Sequence, residues 1–364
     1  MSVMRIFALI VAVALLTMPT KRSVAQVDLT SGLIKDYYSS LQYSFPLAHG
    51  WNFEKLSRAL LHAQEIGSTA VIVLHDGKLV LEWGKTNVRI KSHSVRKSLL
   101  SALYGIAVEK RLIDLNSTMA ELCIDDRPPI LTDSEKQATV LDLLKARSGV
   151  YHEAAAETQY MKRSRPSRGA FAPGEHWYYN NWDFNVLGTI FERETNLTIG
   201  QAFKEWIADP IGMQDFRQQD VHYNWDQVSI HPAYPFWITA RDLARFGQLY
   251  LQMGIWQDQE VIPRYWIEES ITPHSNTSDE GDGYGYMWWT HPSGAYYARG
   301  YMGQFVVIIP KQKIVIVNRV FSGTPSMWSL TPEVKAELEQ FIKPVNSVEF
   351  RRLVDLILEA EPVP

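Results

Sequence analysis

The sequence predicts an α/β (α+β) fold: one antiparallel sheet flanked by helices, with a mainly helical lobe inserted between its strands. Three observations predict it. β-rich runs come early, around 68–83, and late, around 283–320. The stretch between them, 112–270, reads as helix and loop. The repeated strand–helix units and glycine-rich first turn that a parallel Rossmann sheet needs are missing.

Size and composition bound the rest. The chain has 364 residues, 46% of them apolar, enough for one large domain or two closely packed ones. Its formal charge of −4, with no basic tract, points away from nucleic acid. Cys123 is the only cysteine, so an intramolecular disulfide and a thiolate zinc cluster are both excluded, and no His-Glu-x-x-His run occurs.

Residues 1–25 read as a secretory signal: a basic start to Arg5, an apolar run from Ile6 to Met18, and a small-x-small end at Ser23 and Ala25. The run is shorter than the ~18 residues that span a bilayer. We therefore expect export to the periplasm or medium, with no stable membrane insertion after cleavage. Residues 26–50 read as an N-terminal arm. Residues 51–111 and 271–364 are assigned to the sheet domain, and 112–270 to the helical lobe.

In chain order, Phe53 to Gln64 carries Phe53, Leu56, Leu60 and Leu61 at helical spacing. Ser68–His75 and Lys78–Trp83 flank Asp76-Gly77, a strong hairpin signal. The run from Ser94 to Val108 reads as a sharp entry into an apolar helix bearing Leu99, Leu100, Leu103, Ile106 and Ala107. Thr139 caps a short helix through Asp142, and 151–173 looks like a long loop over a site. Helices follow on the Phe184, Leu187, Ile190, Phe191 face, at about 200–208, after Thr239, and after Pro263. Strands are expected at Gly283–Trp289, Tyr296–Arg299, Phe305–Pro310 and Ile314–Val320. Closing helices are expected at Leu330–Ile342 and Val348–Leu358.

Ser94 and Lys97 share a helical face, three residues apart. A serine needs a neighbouring base before it attacks a carbonyl, and a lysine serves once burial and the positive end of a helix loosen its proton. Ser-x-x-Lys alone is a weak signal. A capping serine and a surface lysine give the same letters.

With its context, the sequence resembles the serine β-lactamase and penicillin-binding-protein superfamily. It is nearest the class C β-lactamase-like branch that holds esterases, D-aminopeptidases and 6-aminohexanoate-dimer hydrolases. Ser94 and Lys97 match that family's Ser-x-x-Lys. Its Tyr-x-Asn element fits both Tyr178-Tyr179-Asn180 and Tyr179-Asn180-Asn181. Gly174, five residues before Tyr179, and Gly188, seven after Asn181, make Tyr179 and Asn181 the preferred pair. Leu144 to Val150 and Thr239 to Gly247 resemble two further signposts, and the resemblance runs over about 52–340. The family's third motif, Lys-Thr-Gly or His-x-Gly, meets Ala298-Arg299-Gly300 here, so its usual cation is absent.

The resemblance implies a β-lactamase/transpeptidase-like fold and acyl transfer. Ser94 attacks, and Lys97 or Tyr179 takes its proton. Tyr179, its pKa drawn toward neutrality by nearby cations, then protonates the leaving group. Asn181 orients Lys97 or binds the substrate amide. The oxyanion lies between the backbone N–H groups of Ser94 and Tyr301. Gly300 lets substrate approach the strand, Trp289 can line an acyl pocket, and Arg299 can supply charge. No metal or organic cofactor is required. The expected substrate is a small ester, amide or short peptide-like molecule. The alternatives are a β-lactamase or D-amino-acid peptidase acting on cell-wall-type substrates, and a non-catalytic binding or sensor domain.

Overall fold

The computed structural model describes residues 42–43, 50–277, 282–327, 330–331, 334, 337, 340 and 342–362. The expected signal, most of the expected arm and most of the expected helix Leu330–Ile342 lie outside the described residues.

Strand β1 is Gln42–Tyr43. Helix α1, Phe53–Ile66, starts where the Asn52 side chain accepts the Lys55 N–H and ends at Gly67, whose φ of 92° suits only glycine. It buries Leu56, Ala59, Leu60, Ala63 and Ile66. Phe53 and Leu61, expected on the same face, point outward. Strands β2 (Ala70–His75) and β3 (Lys78–Gly84) meet at Asp76 and Gly77, both at positive φ, as a tight hairpin turn requires.

A single 3-10 turn, His93–Val95, leads into α2, Arg96–Glu109. Every residue of α2 from Arg96 to Ala107 is buried, so this helix has no solvent face. Helix α3, Val140–Leu144, carries the expected capping box of Thr139 and Asp142. The expected loop 151–173 contains a short helix, α4 (Gln159–Ser164). Helix α5 is Asn181–Thr195, capped by the Asn180 side chain. Helix α6 (Ile199–Phe203) runs on into a π-helical turn, Lys204–Ala208. Helices α7 (Ala240–Leu251) and α8 (Arg264–Ser270) follow. The lobe is less purely helical than expected: residues 224–226 pair with 229–233, and 255–256 with 259–260.

The late strands are β4 (Ser275–Asn276), β5 (Gly283–Tyr284), β6 (Trp289–Thr290), β7 (Tyr296–Gly300), β8 (Gln304–Ile309) and β9 (Ile314–Arg319). The expected single strand Gly283–Trp289 is thus two. Gly285 donates to the Trp288 carbonyl, Met287 sits at a φ of 62°, and the chain reverses there. A Cβ on Gly285 would lie 2.1 Å from the Ser270 carbonyl oxygen, so α8 fixes the reversal. Helix α9, Ser347–Glu359, closes the chain.

These strands form one nine-stranded sheet in the order β1-β3-β2-β9-β8-β7-β6-β5-β4, antiparallel throughout except β1 against β3. The two ends of the chain meet at β2 and β9, from Ala70 opposite Arg319 to His75 opposite Ile314. Helices α1 and α9 bury their apolar faces with one side of the sheet. Helix α7 packs on β9, β8 and β2, and a Cβ on Gly247 would stand 2.5 Å from a Val315 methyl. Helix α2 contacts α5, α6 and α8, so the turn before it is held between lobe and sheet.

A Cβ on Gly105 of α2 would come within 2.4 Å of the fully buried Trp266 ring of α8. Gly105→Ala is therefore expected to destabilise the fold by ~1–3 kcal/mol through overpacking, despite alanine's better helix propensity. Thermal unfolding checks this; an unchanged or raised Tm contradicts it.

Candidate active site

Ser94 does not cap the helix. It stands inside the 3-10 turn His93–Val95, one residue before the Val95 cap of α2. From the first turn of α2, Lys97 Nζ donates to Ser94 Oγ at 2.8 Å. Lys97 is only 2% exposed. Its amine lies 4.7 Å from the Tyr179 ring centre and 4.8 Å from that of Phe184.

The structure brings Tyr179, and not Tyr178, to Ser94. The Tyr179 hydroxyl hydrogen-bonds the Ser94 side chain, whereas the Tyr178 hydroxyl donates to the Met161 carbonyl at 2.7 Å. Trp289 of β6 stacks on Tyr179 at 5.6 Å and 29°, and Tyr284 of β5 meets it edge-on at 6.1 Å. The reversal that splits the expected strand is what sets these two rings on paired strands around Tyr179.

Asn181 makes no hydrogen bond to Lys97 among the described residues. Its Nδ2 donates to the Ala156 carbonyl at 2.8 Å, and its Oδ1 is buried without a partner. Asn180 is the structural amide of the pair: it caps α5 and donates to Val150 O and Asp183 Oδ1.

On β7, Gly300 has a tighter duty than admitting substrate. A Cβ there would be 2.5 Å from the Ser92 carbonyl oxygen and 3.2 Å from the Ser94 nitrogen, so glycine lets the strand press against the turn. Ala298, fully buried, shares the Gly300 face. Arg299 occupies the other face and lies 4.4 Å over the Trp289 ring. Tyr301 is 54% exposed, with His93 edge-on to its ring at 5.6 Å. Gly300→Ala is expected to push β7 off the turn and cut the rate of Ser94 acylation by about 10²-fold, the scale of a 1 Å misplacement. Labelling kinetics with a serine-directed probe check this.

Burial orders the titrations. It carries the Lys97 amine well below its usual pKa, with the Arg96 charge adding in the same direction. It raises the Tyr179 phenol, and the Ser94 hydrogen bond, Arg96 and Arg299 only partly offset that. The expectation that cations draw Tyr179 toward neutrality is therefore corrected: desolvation wins. Burial likewise lowers His93, aided by Lys91, Arg319 and Lys97, and lifts Asp183 well above the carboxylate range.

Four groups here escaped the sequence reading. Arg96 is buried beside Lys97, Tyr284 walls Tyr179, Ser92 meets Gly300, and His93 holds an unusual φ of 48°. Only Arg96, an unassigned letter inside Ser-x-x-Lys, carried any signal. A separate cavity of about 620 Å³ is lined by Arg127, Tyr151, Lys162, Arg165 and Arg168, but by none of the expected site residues. Arg165 pairs with Glu157 there, and Arg168 with Glu135. Among the described residues no group of His, Cys, Asp and Glu is placed to hold a metal, and no helix is long and apolar enough to cross a membrane.

A family model described as Beta-lactamase matches residues 53–327. The chain is 24% identical over 290 residues to the 6-aminohexanoate-dimer hydrolase of Paenarthrobacter ureafaciens, covering 70% of this chain and 73% of that protein. Among solved structures, a Bacillus anthracis protein provisionally described as a 6-aminohexanoate-dimer hydrolase superposes with a TM-score of 0.61. It shares 20% identity, over 89% of this chain and 88% of that one. A class C beta-lactamase gives a TM-score of 0.58 at 14% identity, over 85% and 96%. The chain belongs to the beta-lactamase family.

Proposed function

We propose that this protein is a serine hydrolase that cleaves a small ester or amide through an acyl-enzyme on Ser94. The observation that carries the reading is the 2.8 Å contact between Ser94 Oγ and the buried Lys97 amine. An amine whose pKa burial has lowered is uncharged in its working form and accepts a proton. Ser94 Oγ attacks the carbonyl carbon as its proton passes to Lys97 Nζ. Tyr179, kept protonated by its raised pKa, gives its proton to the leaving oxygen or nitrogen and regains one from Lys97, so both return to their starting forms. The backbone N–H groups of Ser94 and Tyr301 receive the developing oxyanion, and water releases the acyl group in a second step.

Ala298 in place of a cation supports a substrate whose acyl part is neutral. The similarity to a 6-aminohexanoate-dimer hydrolase supports an amide substrate. One observation favours a second reading. The Arg299 charge acts on Tyr179 from its seat over Trp289, which suits a carboxylate-bearing substrate such as a β-lactam or a D-amino-acid peptide. The pattern of residues 1–25 supports export.

The test combines a fluorophosphonate probe, read by intact mass and peptide mapping, with a panel of p-nitrophenyl esters, short amide oligomers and nitrocefin. Labelling at Ser94 with ester or amide turnover is expected. Fast nitrocefin turnover favours the second reading. No labelling and no turnover overturn the hydrolase assignment and leave a binding or sensor domain.

A further inference from the structure

We propose that Arg96 is a positioning residue for this acyl transfer, a fixed buried guanidinium set beside the Lys97 amine and tied, through Asn185, to the loop at Ala155. The proposal rests on the Ser94–Lys97 reading above.

Arg96 and Lys97 are adjacent in α2, 4% and 2% exposed. Among the described residues neither forms an ion pair. Arg96 is held instead by groups that cannot neutralise it. Its guanidinium lies 4.1 Å over the Tyr234 ring, and one nitrogen donates to Asn185 Oδ1 at 2.8 Å. Asn185 Nδ2 donates onward to the Ala155 carbonyl at 3.1 Å, and Tyr234 is pinned by its own bond to the Phe184 carbonyl at 3.0 Å. The other terminal nitrogen of Arg96 is buried without a partner.

Two like charges side by side without a counter-ion are costly in a dry interior, and one of them must go. A guanidinium keeps its proton under all ordinary conditions, while an ammonium gives its proton up. Burial favours the uncharged amine of Lys97, and the Arg96 charge adds in the same direction.

The other titratable groups around the pair do not relieve it. His93, before Ser94, is held neutral by burial and cations. Tyr179 and Tyr234 from the lobe and Tyr284 from the sheet are all raised, so they stay protonated. Asp183 of α5 is raised by burial and engaged by Ser148 and Asn180. Arg299 adds a further positive charge from β7. Arg96 is thus the charge nearest in sequence to Lys97, and its field acts through a desolvated site.

The experiment follows the second-order rate of fluorophosphonate labelling at Ser94 against pH, in the wild-type chain and in Arg96→Met and Arg96→Gln. The rate rises with pH as Lys97 loses its proton, so this acid limb reports its titration. Removing the charge in Arg96→Met is expected to move the limb up by about one pH unit. That is about a tenfold loss at a fixed pH on the limb, restored at alkaline pH. Arg96→Gln, which can still hydrogen-bond Asn185, keeps the test open if the methionine variant does not fold, and is expected to shift the limb equally. An unmoved limb or a loss uniform across pH overturns the proposal while the hydrolase reading stands. A wild-type chain that is never labelled overturns both.

Discussion

Ser94→Ala is expected to abolish probe labelling and to lower ester or amide turnover by at least ~10³-fold, with little change in Tm. Removing a nucleophile that acts as a unit with its base costs nearly all of the covalent route. Stability is expected to hold because Ser94 neither caps α2 nor fills core. It stands half-buried in a 3-10 turn whose cap is Val95. Steady-state turnover, intact mass and a melting curve make the comparison. Turnover within tenfold of wild type would locate the chemistry elsewhere.

Lys97→Met is expected to cost a similar ~10³-fold or more, for a different reason, since the serine remains but nothing beside it takes its proton. Its effect on stability runs the other way. The folded pKa of Lys97 lies well below that of the unfolded chain. At any pH between the two values the unfolded state binds more protons, so the wild-type contribution improves as pH rises and reaches its full value only above the unfolded pKa of about 10. Below the folded value the buried amine is a pure cost. Methionine fills similar space and carries no charge. The variant should therefore melt at or above wild type at neutral pH, and its Tm should lose the part of the rise with pH that Lys97 supplies. A variant that melts lower at neutral pH and keeps that rise contradicts this account.

Much of this site was legible because several spaced signals agree with one family pattern. Ser94 and Lys97 are one helical turn apart, and the resemblance, through its spacing from Gly174, picks out Tyr179 as their partner. The Asp76-Gly77 turn declared itself because few other pairs accept two positive φ angles. What stayed hidden depended on distant contacts. The run Gly283–Trp289 alternates like a strand, and only the Ser270 carbonyl pressed on Gly285 shows why it must reverse. The Tyr179 titration was misjudged because nearby cations can be guessed from sequence, whereas the depth of burial that outweighs them cannot. Arg96 carries no assignment in the sequence because the groups that close over it, Tyr234 and Asn185, lie far along the chain.

The joining of β2 to β9 sets a timetable for the ribosome. Ser94, Lys97 and the helix that bears them emerge early. The glycine that seats their turn, Gly300, and the strand that completes the sheet beside β2 come roughly two hundred residues later. Contacts of such long separation are slow to form and leave early strands exposed while they wait. A nascent chain that stops short of β7 holds the serine and the lysine but lacks the strand that braces their turn. The turn that carries Ser94 is delivered unfinished, and a strand made roughly two hundred residues later completes it.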